Sequence, residues 1–121
     1  MAEGDGSAIS AERVARNDAI FREANEGIRA VAEQTELSED DLVPFICECA
    51  DVNCTEIVQL STEEYEVVRS EPTRFLKARG HERNAHGWAR VLHEFDRYTV
   101  VEKIGEAAEI AAELDPRTAR S

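Results

Sequence analysis

The feature that most constrains this 121-residue chain is a set of three cysteines within residues 45–54. Cys47, Cys49 and Cys54 follow the spacing C-x-C-x4-C and are the only cysteines of the chain. If the pair lies on a strand, side chains alternate between its faces, so both thiols lie on one face and Glu48 points to the other, toward water. The tetrapeptide before Cys54 contains an Asp and an Asn, which favour a turn. The spacing therefore predicts that the three thiols converge.

The redox state of these thiols follows from the expected compartment. Residues 1–6 are acidic and polar and lack the basic and apolar regions of a signal peptide, so we expect a cytoplasmic protein. No apolar run approaches the roughly 20 residues that cross a bilayer, so no membrane role is expected. Thiols in the cytoplasm stay reduced, and a close set of three then indicates a metal or redox site instead of a disulfide framework.

Three converging thiolates need a counter-charge, and a tetrahedral zinc ion is the one that this ligand type predicts. A structural zinc site requires a fourth ligand, and the candidates are His81, His86 and His93. His93 falls in a predicted strand, where a solvent-facing or packed histidine is the commoner outcome. His81 follows Gly80, whose backbone permits a close approach to a metal. We expect His81 as the fourth ligand, with His86 as the alternative.

Other uses of the cysteines are also compatible with the pattern. They can pack as small apolar residues, form a thiol redox sensor, or leave an open metal position in a small enzyme with Asp51 or Glu82 as acid or base. A site closed by four protein ligands has no position for a substrate, so a structural role is favoured and no catalytic residue is assigned. Phosphate-loop, dinucleotide, metalloprotease and hydrolase motifs are absent from the sequence.

The first predicted element is an amphipathic N-terminal helix capped by Ser10. Val14, Phe21 and Ile28 recur every seven residues, and Val31 extends the apolar stripe. Charged side chains are expected mainly on the other faces: Arg13, Arg16, Asp18, Arg22, Glu23, Glu26 and Arg29. The stripe is too short for a coiled coil, so this helix is expected to pack on the domain's own sheet, with a homodimer through it as the alternative.

Further elements follow from turn signals and apolar spacing. Ser61 and Glu64 form a capping box that begins a short middle helix with Tyr65 and Val68 facing the core. A C-terminal helix is expected at residues 106–114. Five short strands are predicted at residues 42–47, 56–60, 74–78, 89–95 and 98–103.

These elements predict one α+β domain over residues 10–115, with flexible tails at 1–9 and 116–121. Its strands are expected to form a small, mostly antiparallel sheet, with the cysteines in a zinc-knuckle-like turn. The net charge is −12, and residues 1–66 carry 17 acids against 4 bases. Such a chain lacks the basic surface that neutralises phosphates, so nucleic acid is disfavoured as a partner. Another protein is the expected partner.

The chain resembles a group of small actinobacterial proteins with no established function. The resemblance runs from Phe21 to Arg117 and is carried by the C-x-C-x4-C spacing together with the motifs T-x-E-Y-E-x-x-R, P-T-R-F, G-H-E and Y-x-V-V-E-K. It implies that the cysteines and the Gly80-His81-Glu82 segment belong together, which favours His81 as the fourth ligand. It implies no activity. The sequence thus favours a structural-zinc protein that acts in protein interaction or regulation; the alternative is a redox sensor or small metal-dependent enzyme.

Overall fold

The computed structural model describes residues 10–38, 40–85 and 87–119. The expected tail at residues 1–9 and the alternative ligand His86 lie outside these ranges. Within the described ranges, no helix combines the length and the apolar composition needed to cross a membrane.

Helices and strands are interspersed along the described chain. In order they are α1 (Ala11–Glu33), β1 (Val43–Ile46), β2 (Ile57–Leu60), α2 (Thr62–Val68), β3 (Arg74–Lys77), a 3₁₀ helix (His81–Ala85), β4 (Ala89–Glu94), β5 (Thr99–Lys103), α3 (Glu106–Leu114) and α4 (Pro116–Ala119). The predicted α+β class is confirmed. Where the sequence predicts a tail from residue 116, the structure has the short helical turn α4.

The five strands of the described chain form two antiparallel sheets. β1 pairs with β2, and β5 lies between β3 and β4. The hairpin of β4 and β5 turns where the sequence predicts, with the Phe95 N–H donating to the Tyr98 carbonyl at 2.8 Å. The two sheets meet where the backbone N–H of Glu48 donates to the carbonyl of Leu76 at 2.8 Å. This junction lies beside the cysteines.

The largest apolar cluster packs α2 against both sheets. The predicted capping box of α2 is present, because Ser61 Oγ accepts from the Glu64 N–H at 3.1 Å and the Glu64 carboxylate accepts from the Ser61 N–H at 2.9 Å. Because α2 begins at this capping box, Tyr65 and Val68 face the core, as predicted. Tyr65 stacks on Phe45 of β1 with the ring centroids 4.4 Å apart. The middle helix therefore holds the strand that leads to the cysteines.

The buried face of α1 differs from the predicted face. Ser10 caps the helix by accepting a hydrogen bond from the Arg13 N–H, as expected. Asp18 and Arg22, expected on outer faces, are buried, whereas Val31 of the predicted stripe is 66% exposed. The prediction for these three residues is wrong because α1 packs through ion pairs as well as through apolar contacts.

Asp18 is the first centre of this buried charge network. Its Oδ1 lies 3.1 Å from Lys77 Nζ, and its Oδ2 faces Lys103 Nζ. Burial lowers the pKa of Lys103 to about 8, and the charge of Lys77 adds to the lowering. One carboxylate of α1 thus pairs with a lysine of β3 and a lysine of β5 inside the domain.

Arg22 is the second centre. Its guanidinium donates to the backbone carbonyls of Pro72, at 2.8 Å, and Arg74. It also lies 3.6 Å from the Glu48 carboxylate and 3.6 Å above the centroid of the Phe75 ring. A guanidinium can satisfy several acceptors at once, which is why this side chain is tolerated in the interior.

Arg69 forms the third centre, at the end of α2. Its two terminal nitrogens donate to the Asp115 carboxylate at 3.0 and 2.6 Å, and its Nε donates to Glu26 at 3.2 Å. Glu26 also accepts from the Tyr65 hydroxyl and from Arg117 Nε, each at 2.7 Å. These contacts join α1, α2 and the C-terminal turn.

The pairing of Arg69 predicts a large loss on truncation. Arg69→Met should lower the free energy of unfolding by about 3–5 kcal/mol, because Asp115 and Glu26 would keep buried charges without this partner. Arg90→Met is the matched control, since the pair of Arg90 with Glu102 is 65% exposed on the arginine side, and it should cost about 0–1 kcal/mol. Urea denaturation of both variants measures the difference. An equal loss in the free energy of unfolding in both variants would show that the buried pairs of Arg69 stabilise the fold no more than the exposed pair of Arg90.

Glu26 predicts a pH dependence. Burial acts to raise its pKa, but hydrogen bonds from Arg117 and Tyr65 outweigh burial and bring the pKa down to about 2. The unfolded carboxyl has a pKa of about 4.3, so the contribution is complete above that value and is lost as the pH falls toward 2. Urea denaturation between these limits should show a weaker pH dependence for Glu26→Gln than for the parent protein. Parallel curves would exclude this role.

Candidate metal centre

Four side chains from two parts of the fold converge near the junction of the sheets. Cys47 directly follows β1, Cys49 and Cys54 lie in the connection to β2, and His81 begins the 3₁₀ helix after β3. Their ligand atoms all lie within 4.8 Å of one another. The structure thus brings together the three cysteines and the favoured histidine, in a group that could hold a metal ion.

The predicted turn positions Cys54. Asp51 directs it, because its side chain accepts from the Asn53 N–H at 3.0 Å and its carbonyl accepts from the Cys54 N–H at 3.0 Å. The Cys47 N–H donates to the Glu56 carbonyl at 3.1 Å and closes the base of the connection. The third thiol therefore returns to the other two through local hydrogen bonds. Asp51, considered as an acid or base, serves this turn.

A second turn positions His81. Gly80 adopts a φ of 89°, a left-handed conformation that favours glycine, and the His81 N–H donates to the Ala78 carbonyl at 3.0 Å. The imidazole Nδ1 faces the sulfurs, at 3.7 Å from Cys47, 3.7 Å from Cys49 and 3.4 Å from Cys54. The ring is therefore near-equidistant from three sulfurs, which a single hydrogen bond does not require.

These distances match the edges of a zinc tetrahedron. Zn–S bonds of about 2.3 Å and Zn–N bonds of about 2.0–2.1 Å at tetrahedral angles give an S···N separation of about 3.5–3.6 Å. The three S···N distances, 3.4 to 3.7 Å, lie around that value. Three soft sulfur donors and one imidazole also form the donor set expected for a tetrahedral site.

Each sulfur also accepts a hydrogen bond from outside the four-residue set. Cys47 accepts from the Ala78 N–H at 3.2 Å, and Cys49 accepts from the Asn84 side chain at 3.1 Å. The backbone of Asp51 acts to lower the pKa of Cys49, and that of Glu56 acts to lower the pKa of Cys54. Such donors stabilise thiolates and orient metal ligands.

Asn84 is a residue that the sequence analysis missed. Residues three apart share one face of a 3₁₀ helix, so Asn84 lies on the same face as His81. The sequence signal that could have found it is an amide side chain three residues after a candidate ligand. Its recognition also needs the 3₁₀ conformation of His81–Ala85, which local sequence patterns do not indicate.

The thiols perturb one another's ionisation. The hydrogen bond from Cys47 lowers the pKa of Cys49 to about 4, and the same contact raises the pKa of Cys47. Burial raises the pKa of Cys54. The contact between Cys47 and Cys49 therefore favours the thiolate form of Cys49 over that of Cys47. A bound divalent cation would remove this conflict, because metal binding displaces thiol protons.

Glu48 corrects the sequence prediction. It is expected to point toward water, but it is fully buried. Its carboxylate accepts from Asn25 Nδ2 at 3.0 Å and from the Leu76 N–H at 3.1 Å, and Arg22 lies 3.6 Å away. The reason is that β1 ends at Ile46, so the residue between the cysteines enters the space between α1 and β3.

The side chain of Lys77 places a positive charge beside the cysteines. It is fully buried, and its Nζ donates to the Glu48 carbonyl and to Asp18. Burial acts to lower its pKa, but Asp18 and the two nearest cysteines raise it above the ordinary value. Three thiolates, a neutral imidazole and a divalent ion sum to one negative charge, which this lysine complements.

The remaining histidine lies elsewhere. His93 is on β4, and its ring stacks on Phe95 with the centroids 5.1 Å apart. It does not belong to the described metal-ligand group. The choice between His81 and His86 stays a prediction, because His86 lies outside the described residues.

Comparisons with known proteins add no assignment. No family model matches the chain, and no curated protein or solved structure matches it.

The position of Asn84 predicts an effect on metal affinity. Asn84→Ala should weaken zinc binding by about 10-fold or more, because a thiolate would lose a hydrogen-bond donor. Arg83→Ala is the control, since Arg83 is the exposed neighbour on the same 3₁₀ helix. Competition against a chromophoric chelator measures both affinities. The same change in both variants, or no change in either, would show that the hydrogen bond does not orient a ligand.

Proposed function

We propose that this protein binds one structural zinc ion through Cys47, Cys49, Cys54 and His81. The observation that supports this most directly is the set of three S···N distances of 3.4 to 3.7 Å around the imidazole Nδ1. Hydrogen bonds among thiols and an imidazole do not require three near-equal S···N distances. A zinc ion bound by all four side chains would complete a tetrahedron.

The proposed role of the ion is structural, because four protein donors leave no position for water or substrate. The ion would join the connection between β1 and β2 to the 3₁₀ helix that follows β3. These segments belong to different sheets, and the hydrogen bonds of Glu48 with Leu76 already mark their junction. A link at this place would stabilise the arrangement of the two sheets. We assign no enzymatic activity.

We further propose that the domain works in the cytoplasm as a protein-interaction or regulatory module. A net charge of −12 opposes binding to nucleic acid and leaves another protein as the favoured partner. We also propose that the resemblance to small actinobacterial proteins, which share the cysteine spacing and the Gly-His-Glu segment, reflects a common family. A homodimer through α1 is the alternative assembly.

Elemental analysis tests the proposed zinc site. Protein purified without added metal should contain one zinc ion per chain, and Cys49→Ser or His81→Ala should lose it. Each loss should lower stability by several kcal/mol, on the order of the binding energy that folding gains from such ions. His93→Ala is the control and should retain both zinc and stability.

Chelation of the parent protein covers the case in which a variant fails to fold. A strong chelator should lower the melting temperature, and added zinc should restore it. Iron in place of zinc would change the assigned metal. Metal-free protein with an unchanged melting temperature would overturn the proposal, and a rapid reaction of Cys49 with peroxide would then favour the redox-sensor alternative.

A further inference from the structure

An apolar groove of about 620 Å³ lies between α1 and the segment that leads into β1. We call it the α1–β1 groove and define it by six of its lining residues: Gly27, Ile28, Val31, Leu37, Leu42 and Pro44. Val31 is 66% exposed and Leu42 is 48% exposed. A contiguous surface of this kind is typical of an interaction site, whereas single exposed apolar residues are not.

Gly27 lies in the middle of α1 and faces this groove. A glycine there weakens a helix by about 1 kcal/mol relative to alanine. Nothing in the described structure requires a glycine at this position. A Cβ added to Gly27 would meet no atom within 4 Å, and the φ angle of Gly27 is not left-handed. The missing side chain leaves room for close approach from outside the domain.

The outer edge of β1 cannot accept an added strand. Cys47 N–H points toward β2, so Pro44 and Ile46 are the positions whose backbone groups point away from it. Pro44 has no N–H, and the N–H and carbonyl of Ile46 are bound to the Asn25 side chain at 2.9 and 2.8 Å. Strand addition is therefore closed at this edge, and an amphipathic helix is the peptide form whose apolar face matches an apolar groove.

The charge around the α1–β1 groove decides what kind of helix it fits. Residues 30–42 contain five acids and no base. Glu36, Asp40 and Asp41 are exposed and lie within two residues of the groove residues Leu37 and Leu42. A second copy of this chain would bring the same acidic segment and a net charge of −12. Electrostatic complementarity instead favours an occupant with basic flanks.

We propose that the α1–β1 groove binds an amphipathic helix of another protein, with apolar side chains seated over Gly27 and Lys or Arg residues beside the acidic segment. This inference deepens the proposed interaction role and rests on it. It does not depend on which metal the cysteines hold. Apolar contact supplies the affinity, and the basic flanks supply orientation and selectivity.

A pair of synthetic peptides tests the proposal. Both are amphipathic helices with the same leucine and alanine face; one carries lysines on its flanks and the other carries glutamates. Titrated into ¹⁵N-labelled protein as purified, the lysine peptide should shift the amide signals of Gly27, Val31 and Leu42. The glutamate peptide should bind at least about tenfold more weakly, because like charges would face each other. Added salt should reduce the difference.

Matched variants locate the binding face. Val31→Gln should weaken the lysine peptide by about tenfold, because an apolar anchor becomes polar. Val67→Gln is the control, since Val67 is 69% exposed on α2 and lies outside the groove. Gly27→Leu should also weaken binding by filling the groove while retaining the folded spectrum. All three variants change exposed positions and leave the core intact.

The outcomes separate this inference from the zinc proposal. Equal affinity for both peptides, shifts away from the groove, or self-association through α1 in analytical ultracentrifugation would each overturn the proposed occupant. Zinc content is measured on the same samples. Retained zinc without peptide binding rejects the groove inference alone, and peptide binding by protein that never contains zinc rejects the zinc proposal alone.

Discussion

One buried carboxylate constrains the rest of this structure. Glu48 stands between the two cysteines of the C-x-C pair and receives hydrogen bonds from Asn25 of α1 and from the backbone of Leu76 in β3, with Arg22 opposite its charge. A buried charge without such partners costs free energy. The segment that carries Glu48 can therefore occupy only the few places in the fold that keep these contacts. The partners of Glu48 therefore determine where α1, β1 and β3 lie relative to one another, and they place the neighbouring sulfurs as a result.

The same logic extends through the interior. Asp18 between two lysines, and Arg69 between Glu26 and Asp115, place charge pairs where small domains usually place apolar side chains. Such pairs add little net stability compared with apolar packing, but breaking one of them is costly because the other charge stays buried. They act as directional restraints on the packing of α1. A zinc ion at the cysteines would add a restraint of the same kind, between the two sheets.

Local patterns in the sequence predict much of this architecture, and long-range pairing accounts for what they miss. The capping box at Ser61, the turn before Cys54 and the spacing of the strands depend on neighbours a few residues apart, so the sequence predicts them. The burial of Asp18 depends on Lys77, which is 59 residues away. The burial of Glu48 likewise depends on partners in other elements. Charge in a helical pattern normally indicates a solvent face, and the rule fails for Asp18 because Lys77 and Lys103, which complement its charge, come from the sheet.

The shortness of β1 has a consequence for the two sites. The strand has four residues, Val43–Ile46, and at its ordinary rise spans roughly 13 Å. Pro44 at one end lines the groove, and Cys47 follows directly at the other. Phe45 between them is held against Tyr65, so the strand has little freedom to flex. If a ligand in the groove and a metal ion at the cysteines each favoured a particular position of this strand, each would change the other's affinity by the same factor.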